Sequence, residues 1–272
     1  MKNAYFYFLL IFFGSNLSLL AQDEDQNTAP VSDLITDRPD ATESPNTVSV
    51  GTIQIETGGF YTSFEETIDG DKIKHEVLGY NTTLLRYGIL DNLELRLGWN
   101  FEEGQTTVNN VKLMDVTSGF SPLLAGVKVN ITEEDGWLPT IGLLGHLYLP
   151  LTAGNDYKPE TTGADLRFSF DHTLSPKSGL AYNIGAQWGD DSPEVAYVYT
   201  LVYGYSITDR LGAYAEVYGD LPENSSANHF WDAGLTYLVS PNFQLDATVG
   251  SSITEGQDLL VAAGFSYRIL KN

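Results

Sequence analysis

Apolar and polar residues alternate along most of the chain from residue 51 onward. Between Leu93 and Phe101 every odd position is a large apolar residue, while Glu94 and Arg96 stand at even positions. A period of two sorts side chains onto the two faces of a β-strand, whereas a helix would scatter them around its surface. The repeated alternation predicts twelve strands, over residues 51–62, 75–89, 92–102, 119–131, 137–149, 164–174, 179–189, 194–207, 210–219, 229–239, 242–251 and 258–269.

The predicted connections alternate between short turns and longer polar links. Turn-like residues fill the links at 90–92 and 240–242, whereas the links at 63–74 and 103–118 are long. An even number of strands with short turns at one end and long loops at the other is typical of bacterial outer-membrane barrels. We therefore predict an all-β protein, a transmembrane antiparallel up-and-down barrel in the outer membrane of a Gram-negative envelope, with both termini periplasmic.

A water-soluble β-sandwich or barrel is the alternative, because it shows the same alternation with the apolar face turned inward. Three features favour the membrane barrel: a leader that directs the chain out of the cytoplasm, a polar face rich in Gly, Ser and Tyr, and aromatic residues near strand ends. The aromatic residues are Tyr61, Tyr87, Trp99, Trp137, Tyr148, Trp188, Tyr205, Trp231, Tyr237 and Tyr267.

The first residues indicate a targeting signal. Lys2 precedes an apolar run, and Ala21 suits the last position before signal-peptide cleavage, so residues 1–21 are predicted to be removed. A retained anchor helix is the alternative. Residues 22–49 are acidic and lack a strand pattern, which predicts either a flexible periplasmic tail or a plug that folds into the barrel of residues 50–272. The candidate plug residues are Asp37, Arg38 and Asp40.

Three segments resemble the family of transporter-like outer-membrane barrels named after the meta-pathway of phenol degradation. They are Leu84-Leu-Arg-Tyr-Gly-Ile-Leu-Asp-Asn-Leu-Glu-Leu-Arg-Leu-Gly98, Ile35-Thr-Asp-Arg-Pro-Asp-Ala-Thr-Glu-Ser-Pro45 and Leu124-Ala-Gly-Val-Lys-Val129. The resemblance extends over residues 33–269 and implies a barrel that transports some small molecule. It does not identify the substrate. One departure is the C-terminal end of the last strand, which lacks the terminal aromatic residue of many outer-membrane strands.

Composition removes several function classes. The chain has 14 Lys and Arg against 36 Asp and Glu, a net charge of −22, and no Cys. A phosphate backbone requires a basic face, so no nucleic-acid partner is expected, and disulfide or Cys-ligated metal sites are excluded. The four His lack paired metal-binding spacing, so we expect neither a metal nor a cofactor. Outer-membrane phospholipases also have twelve strands, but no Ser is placed by sequence beside a His, so we predict no enzyme.

Charged residues on the polar faces of the strands are the candidate functional residues, because those faces are predicted to line the lumen. They form either a structural network of ion pairs that fills a narrow barrel or a constriction that selects solutes by charge and size. They are Glu56, Arg86, Glu94, Arg96, Lys128, Arg167, Asp171, Glu216 and Arg268.

The function predicted from these features is passive passage of small molecules, with aromatic or hydrophobic solutes as candidates. The expected partners are outer-membrane lipid and a small-molecule solute. The alternative is a structural or adhesive barrel with a closed lumen and a function carried by its outer loops.

Overall fold

The computed structural model describes residues 34–189 and 194–270. The predicted signal peptide and the beginning of the acidic segment lie outside these residues. Thirteen strands are present in this part of the chain. They are β1 (Ile53–Ile68), β2 (Asp71–Leu90), β3 (Leu93–Val108), β4 (Val111–Phe120), β5 (Leu123–Thr132), β6 (Thr140–Leu149), β7 (Gly163–Ser175), β8 (Ser178–Trp188), β9 (Val195–Ser206), β10 (Leu211–Pro222), β11 (Asn228–Ser240), β12 (Phe243–Ser252) and β13 (Leu259–Ile269).

The thirteen strands form a closed barrel with twelve positions. Strand β1 pairs antiparallel with both β2 and β13, which closes the sheet. Strand β3 pairs with β5 over Leu93–Gly98 and with β4 over Phe101–Val108, so β4 and β5 share one position in the wall. Residues 121–122, which include Pro122, separate the two. The predicted twelve-stranded antiparallel barrel is thus confirmed, because the thirteenth strand is half of one interrupted wall position.

Two connections predicted as long loops are instead hairpins. Strands β1 and β2 continue to a two-residue turn at Asp69-Gly70, and β3 and β4 continue to a turn at Asn109-Asn110. All four turn residues have positive φ, as hairpin turns of two residues require. The prediction was wrong here because these arms extend past the apolar band. Both faces of such an arm meet water, so the sequence carries no apolar alternation.

The two faces of the wall have opposite chemistry. On β3, Leu95 and Leu97 are 43% and 47% exposed, whereas Glu94 and Arg96 are 0% and 1% exposed. The largest fully buried side chains include Arg86 and Lys128, so the interior is charged and the exterior apolar. A soluble barrel has the reverse arrangement, and this inversion excludes the water-soluble alternative.

The barrel has two distinct ends. Strands β2 and β3, β7 and β8, and β11 and β12 are joined by links of two residues, and we call this the short-turn end. The opposite, long-loop end carries the two hairpins and the link at 150–162, which contains the single-turn 3₁₀ helices Pro150–Thr152 and Asn155–Tyr157. No helix in the described part of the chain is long and apolar enough to cross a membrane.

Leu97→Arg tests the orientation of the wall. Leu97 lies near the middle of the predicted lipid-facing band, so we expect a loss of about 2–4 kcal/mol of folding free energy in lipid vesicles. The matched control is Leu113→Arg on the projecting β4 arm, where Leu113 is 44% exposed and a charge meets water. Urea titration read by heat-modified gel mobility measures both, and equal losses would show that the outer face is not the lipid face.

Candidate functional site

Residues 34–50 cross the interior of the barrel before β1 begins, and we call them the lumen segment. Leu34, Thr42 and Val48 are buried, although none of these residues belongs to a strand. The segment reaches β1 at the short-turn end, where Gly51 N–H donates to the carbonyl of Gly88 over 2.8 Å. A chain path that leaves so many backbone groups without strand partners must satisfy them on the barrel wall.

Asp37 of this segment meets three cationic side chains from three different strands. Its Oδ2 lies 3.1 Å from Arg86 Nη1, 2.6 Å from Arg96 Nη1 and 2.7 Å from Lys128 Nζ. Its own backbone N–H donates to Glu56 Oε2 over 3.0 Å. All five side chains are buried. We call this group, together with Glu94 and Glu43, the Asp37 cluster.

The strand register explains why the cations of the Asp37 cluster converge. Arg86 on β2 stands directly opposite Arg96 on β3. Two residues away on the same face of β3, Glu94 stands directly opposite Lys128 on β5. Glu94 accepts two hydrogen bonds from Arg86, of 2.8 and 2.9 Å, and one of 3.0 Å from Arg96. Two guanidinium groups this close require carboxylates between them, which Glu94 and Asp37 provide.

The charge of Asp37 is stabilised by its surroundings. Burial raises the pKa of a carboxyl group, but the positive charges of Arg86, Lys128 and Arg96 outweigh it and hold the pKa of Asp37 well below its usual range. A depressed pKa means that the attachment is fully present at neutral pH and is lost only as pH falls through the folded-state pKa. At neutral pH the Asp37 side chain is therefore ionised and attaches the lumen segment to the wall through ion pairs.

The opposite wall of the lumen receives a second set of contacts. Arg38 Nη2 lies 2.9 Å from Asp246 Oδ1 on β12. On β10, Glu216 accepts a hydrogen bond of 2.8 Å from the backbone N–H of Ala41 and another from the hydroxyl of Thr42. The wall that carries Asp246 and Glu216 is acidic, and it binds Arg38 and the backbone N–H of Ala41. The wall of β2, β3 and β5 carries the three cations, and it binds the carboxylates of Asp37 and Glu43.

Backbone contacts hold the middle of the segment. Asn183 on β8 accepts a hydrogen bond of 2.7 Å from the N–H of Glu43 and donates one of 2.9 Å to its carbonyl, as a neighbouring strand would. Pro45 packs on β6 at Gly142, where a Cβ would lie 2.8 Å from Pro45 Cα. Only glycine leaves room for the segment there.

The structure does not bring all the candidate residues together. Glu56, Arg86, Glu94, Arg96 and Lys128 join the Asp37 cluster, and Glu216 lies on the opposite wall. The remaining three are elsewhere in the lumen. Arg167 is 3.9 Å from Asp165, Asp171 lines the cavity at the short-turn end, and Arg268 donates to Asn242 and Pro241 at the turn between β11 and β12.

Sequence reasoning missed Glu43, whose carboxylate accepts two hydrogen bonds of 2.9 and 2.7 Å from Arg96 Nη2. Glu43 belongs to no strand, so no alternation could assign it to the lumen. Its signals were its place in the acidic segment, six residues after Asp37, and in the family-like segment that ends at Pro45, and neither specifies a contact.

Two cavities flank the lumen segment. One of about 520 Å³ opens toward the long-loop end and is lined by Asp37 and Arg38, together with Trp99 and Trp188 near its mouth. The other, of about 480 Å³, lies at the short-turn end and is lined by Arg38, Pro39 and Asp40. Arg38 lines both, so the segment lies between the two cavities.

The phospholipase alternative requires a serine hydroxyl beside a histidine on the outer wall. His146 instead faces the lumen, with Nδ1 3.1 Å from Asp165, and His172 stacks on Tyr182. Among the described residues, no serine hydroxyl is hydrogen-bonded to a histidine ring, so the arrangement that would favour this enzyme is not found there.

The family described as "Putative MetA-pathway of phenol degradation" matches residues 36–269. The chain belongs to this family. The match takes in the lumen segment from Thr36 onward as well as all the strands. No curated protein matches this family member in sequence.

Two solved structures resemble this family member in fold. An outer-membrane channel from Pseudomonas putida F1 is 14% identical with a TM-score of 0.61, over 82% of this chain and 97% of that chain. The translocator domain of the autotransporter NalP from Neisseria meningitidis is 11% identical with a TM-score of 0.51, over 82% and 90%. At such identities the likeness extends to the barrel fold alone.

Arg96→Ala tests what the Asp37 cluster does. The change removes one of the two cations that Asp37, Glu43 and Glu94 share and leaves only Lys128 among them, so we expect a loss of about 3–5 kcal/mol of folding free energy. Because Arg96 also lines the larger cavity, the reversal potential in planar bilayers should shift toward cations. Arg210→Ala removes the same charge at the exposed turn between β9 and β10 and should leave selectivity unchanged. A large stability loss with an unchanged reversal potential would make the cluster purely structural.

Proposed function

We propose that this protein is a channel of the outer membrane that lets small molecules pass without an energy source, and that the lumen segment is its plug. The observation that carries the proposal is the division of the lumen into two cavities by the segment that Asp37 and Arg38 attach to opposite walls. A solute that enters from either end of the barrel meets this segment before it reaches the cavity on the other side.

The character of the wall supports a role in passage. The strands turn an apolar face outward, which suits a bilayer, and a charged face inward, which suits water and polar solutes. A twelve-stranded barrel is narrow, so its side chains and any inserted segment decide what can pass. We therefore assign lipid to the outer face and a small solute to the lumen, and no catalytic role.

The plug is attached in a way that allows release. Its contacts with the wall are hydrogen bonds and ion pairs at separate points rather than a continuous β-ladder. Each hydrogen bond or ion pair that breaks on release is replaced by bonds to water once water enters the lumen. The segment can thus leave the lumen while the barrel keeps its closed ladder.

One observation favours the alternative of a closed barrel. The ion pairs of the Asp37 cluster are almost completely buried. A buried network of this kind is equally compatible with a lumen that is permanently closed. Permeation decides between the two, because a closed structural barrel passes no solute in any variant that keeps its fold.

Asp37→Asn is the direct test. The change keeps the shape of the side chain but removes the charge that Arg86, Arg96 and Lys128 share, so we expect the plug to detach more often. In liposomes, swelling in arabinose should be several times faster for Asp37→Asn than for the unaltered protein, and mean single-channel conductance should rise. Asp69→Asn, in an exposed hairpin turn, is the matched control and should change neither.

Each outcome bears on the proposal. Faster swelling with an unchanged melting temperature of the barrel supports a releasable plug. Arabinose exclusion by both the unaltered protein and Asp37→Asn, with both folded by heat-modified mobility, would overturn the channel in favour of the closed barrel.

A further inference from the structure

Two buried carboxyl groups face each other on the acidic wall of the lumen. Glu216 on β10 stands directly opposite Asp232 on β11, and each is 3% exposed. Their side chains are in hydrogen-bonding contact. In the described part of the chain neither forms an ion pair with a cation, and Arg38 is bound to Asp246 instead. Two like charges directly opposite each other destabilise a sheet, and burial increases the cost, so the pair needs a positive charge of its own.

The hydrogen bonds of the pair indicate that this charge is a proton and that Asp232 carries it. Both carboxylate oxygens of Glu216 accept from the lumen segment, Oε2 from the N–H of Ala41 and Oε1 from the hydroxyl of Thr42. Asp232 Oδ1, by contrast, is buried and has no donor among the described residues. An oxygen without a donor is costly on a carboxylate and less so on a neutral carboxyl group. An ionised Glu216 that accepts the O–H of a protonated Asp232 fits this pattern.

The surroundings of the pair supply no substitute for the proton. The residues opposite it on the flanking strands are Val202 on β9 and Gly250 on β12, which carry no charge. The other titratable groups on this side of the lumen are Asp40 of the lumen segment, Tyr214 and Tyr218 of β10, and Asp246 of β12, which Arg38 neutralises. Asp40 lies close enough for its charge to act on both members of the pair.

Loss of the proton places three carboxylates against one another. As pH rises, the O–H bond of Asp232 breaks, the proton passes to water and the electron pair stays on the carboxylate. Water reaches this region from the cavity of about 480 Å³, which Asp40 and Tyr214 line. The charges of Glu216 and Asp232 then repel each other and the charge of Asp40. Departure of the segment relieves the repulsion, because water can then hydrate all three groups.

We propose that the Glu216–Asp232 pair is a proton-binding site that keeps the plug on the acidic wall only while one proton is bound. This attachment is fully present at lower pH and is lost as pH rises and the proton leaves. Its response to pH is thus opposite to that of Asp37, whose attachment is lost on acidification. The inference rests on the proposed channel function and adds to it the control of the plug by pH.

Infrared spectroscopy of the folded protein in D₂O tests the proton site without any passage of solute. Solvated carboxyl groups are ionised above about pH 5, so a carboxylic-acid band at about pH 6 comes from groups that keep their proton. We expect this band to be weaker by one carboxyl group in Asp232→Asn, and the difference between the two proteins to vanish toward about pH 9. Equal bands in the two proteins at the lower pH would overturn the site.

The matched control for the spectra is Asp220→Asn. Asp220 lies on the same strand as Glu216, and both of its oxygens accept hydrogen bonds from Asn228, as those of an ionised carboxylate do. We therefore expect Asp220→Asn to keep the band of the unaltered protein. A loss in Asp220→Asn equal to that in Asp232→Asn would overturn the assignment of the proton to the pair.

Liposome swelling in arabinose tests the control of the plug. Entry into liposomes with the unaltered protein or Asp220→Asn should be several times faster at about pH 9 than at about pH 6. Asp232→Asn keeps a neutral donor toward Glu216, so entry should stay slow at both. All three proteins contain the same four His, so histidine titration contributes equally to each. A pH response that survives in Asp232→Asn would overturn the proposal.

The proton site and the channel fail separately. A flat pH profile in the unaltered protein, alongside faster entry in Asp37→Asn, removes the control by pH and leaves the channel. An acid band that Asp232→Asn weakens, in a protein that excludes arabinose at both pH values and also as Asp37→Asn, keeps the proton site and removes the channel.

Discussion

The ion pairing of Asp37 with Arg86, Arg96 and Lys128 is the interaction on which the arrangement of the lumen depends. The strands supply three cations to the cluster but only two carboxylates, from Glu56 and Glu94, so positive charge exceeds negative charge by one. A buried excess of positive charge is unstable. Asp37 provides the missing negative charge, and Glu43, which is partly exposed, pairs with Arg96 at the edge of the cluster, so the wall and the lumen segment complete each other.

The same complementarity continues across the barrel. On the opposite wall Asp246 and Glu216 are acidic, and they meet Arg38 and the free N–H of Ala41. Opposite signs on the two walls determine the direction in which the segment crosses. Glycines at the points of closest approach, such as Gly142 beneath Pro45, give it space.

The sequence predicted most of the barrel because the physical demand on its wall is simple and periodic. Lipid requires apolar residues at every second position, so the alternation on β3 shows both the strand and its orientation. The tight turn at residues 91–92 also sets the antiparallel register of β2 and β3, so counting back from it places Arg86 opposite Arg96.

The parts that sequence could not predict lack such a periodic demand. The hairpin arms near Asp69 and Asn109 stand in water on both faces, so nothing in their composition separates them from loops. The path of the lumen segment depends on contacts between distant residues, such as Glu43 with Asn183. Pairings of that kind leave no local pattern, and only the assembled barrel reveals them.

A disulfide between the plug and the wall tests the central claim most directly, because the chain contains no cysteine of its own. The hydroxyls of Thr42 and Thr200 lie 2.7 Å apart, so Thr42→Cys with Thr200→Cys can join the lumen segment to β9. The account predicts slow arabinose entry into liposomes while the bond is oxidised and faster entry after reduction, with neither single-cysteine variant responding to the reductant. Equal entry in the oxidised and reduced forms, with bond formation verified by mass spectrometry, would contradict the claim that solutes pass when the segment is released.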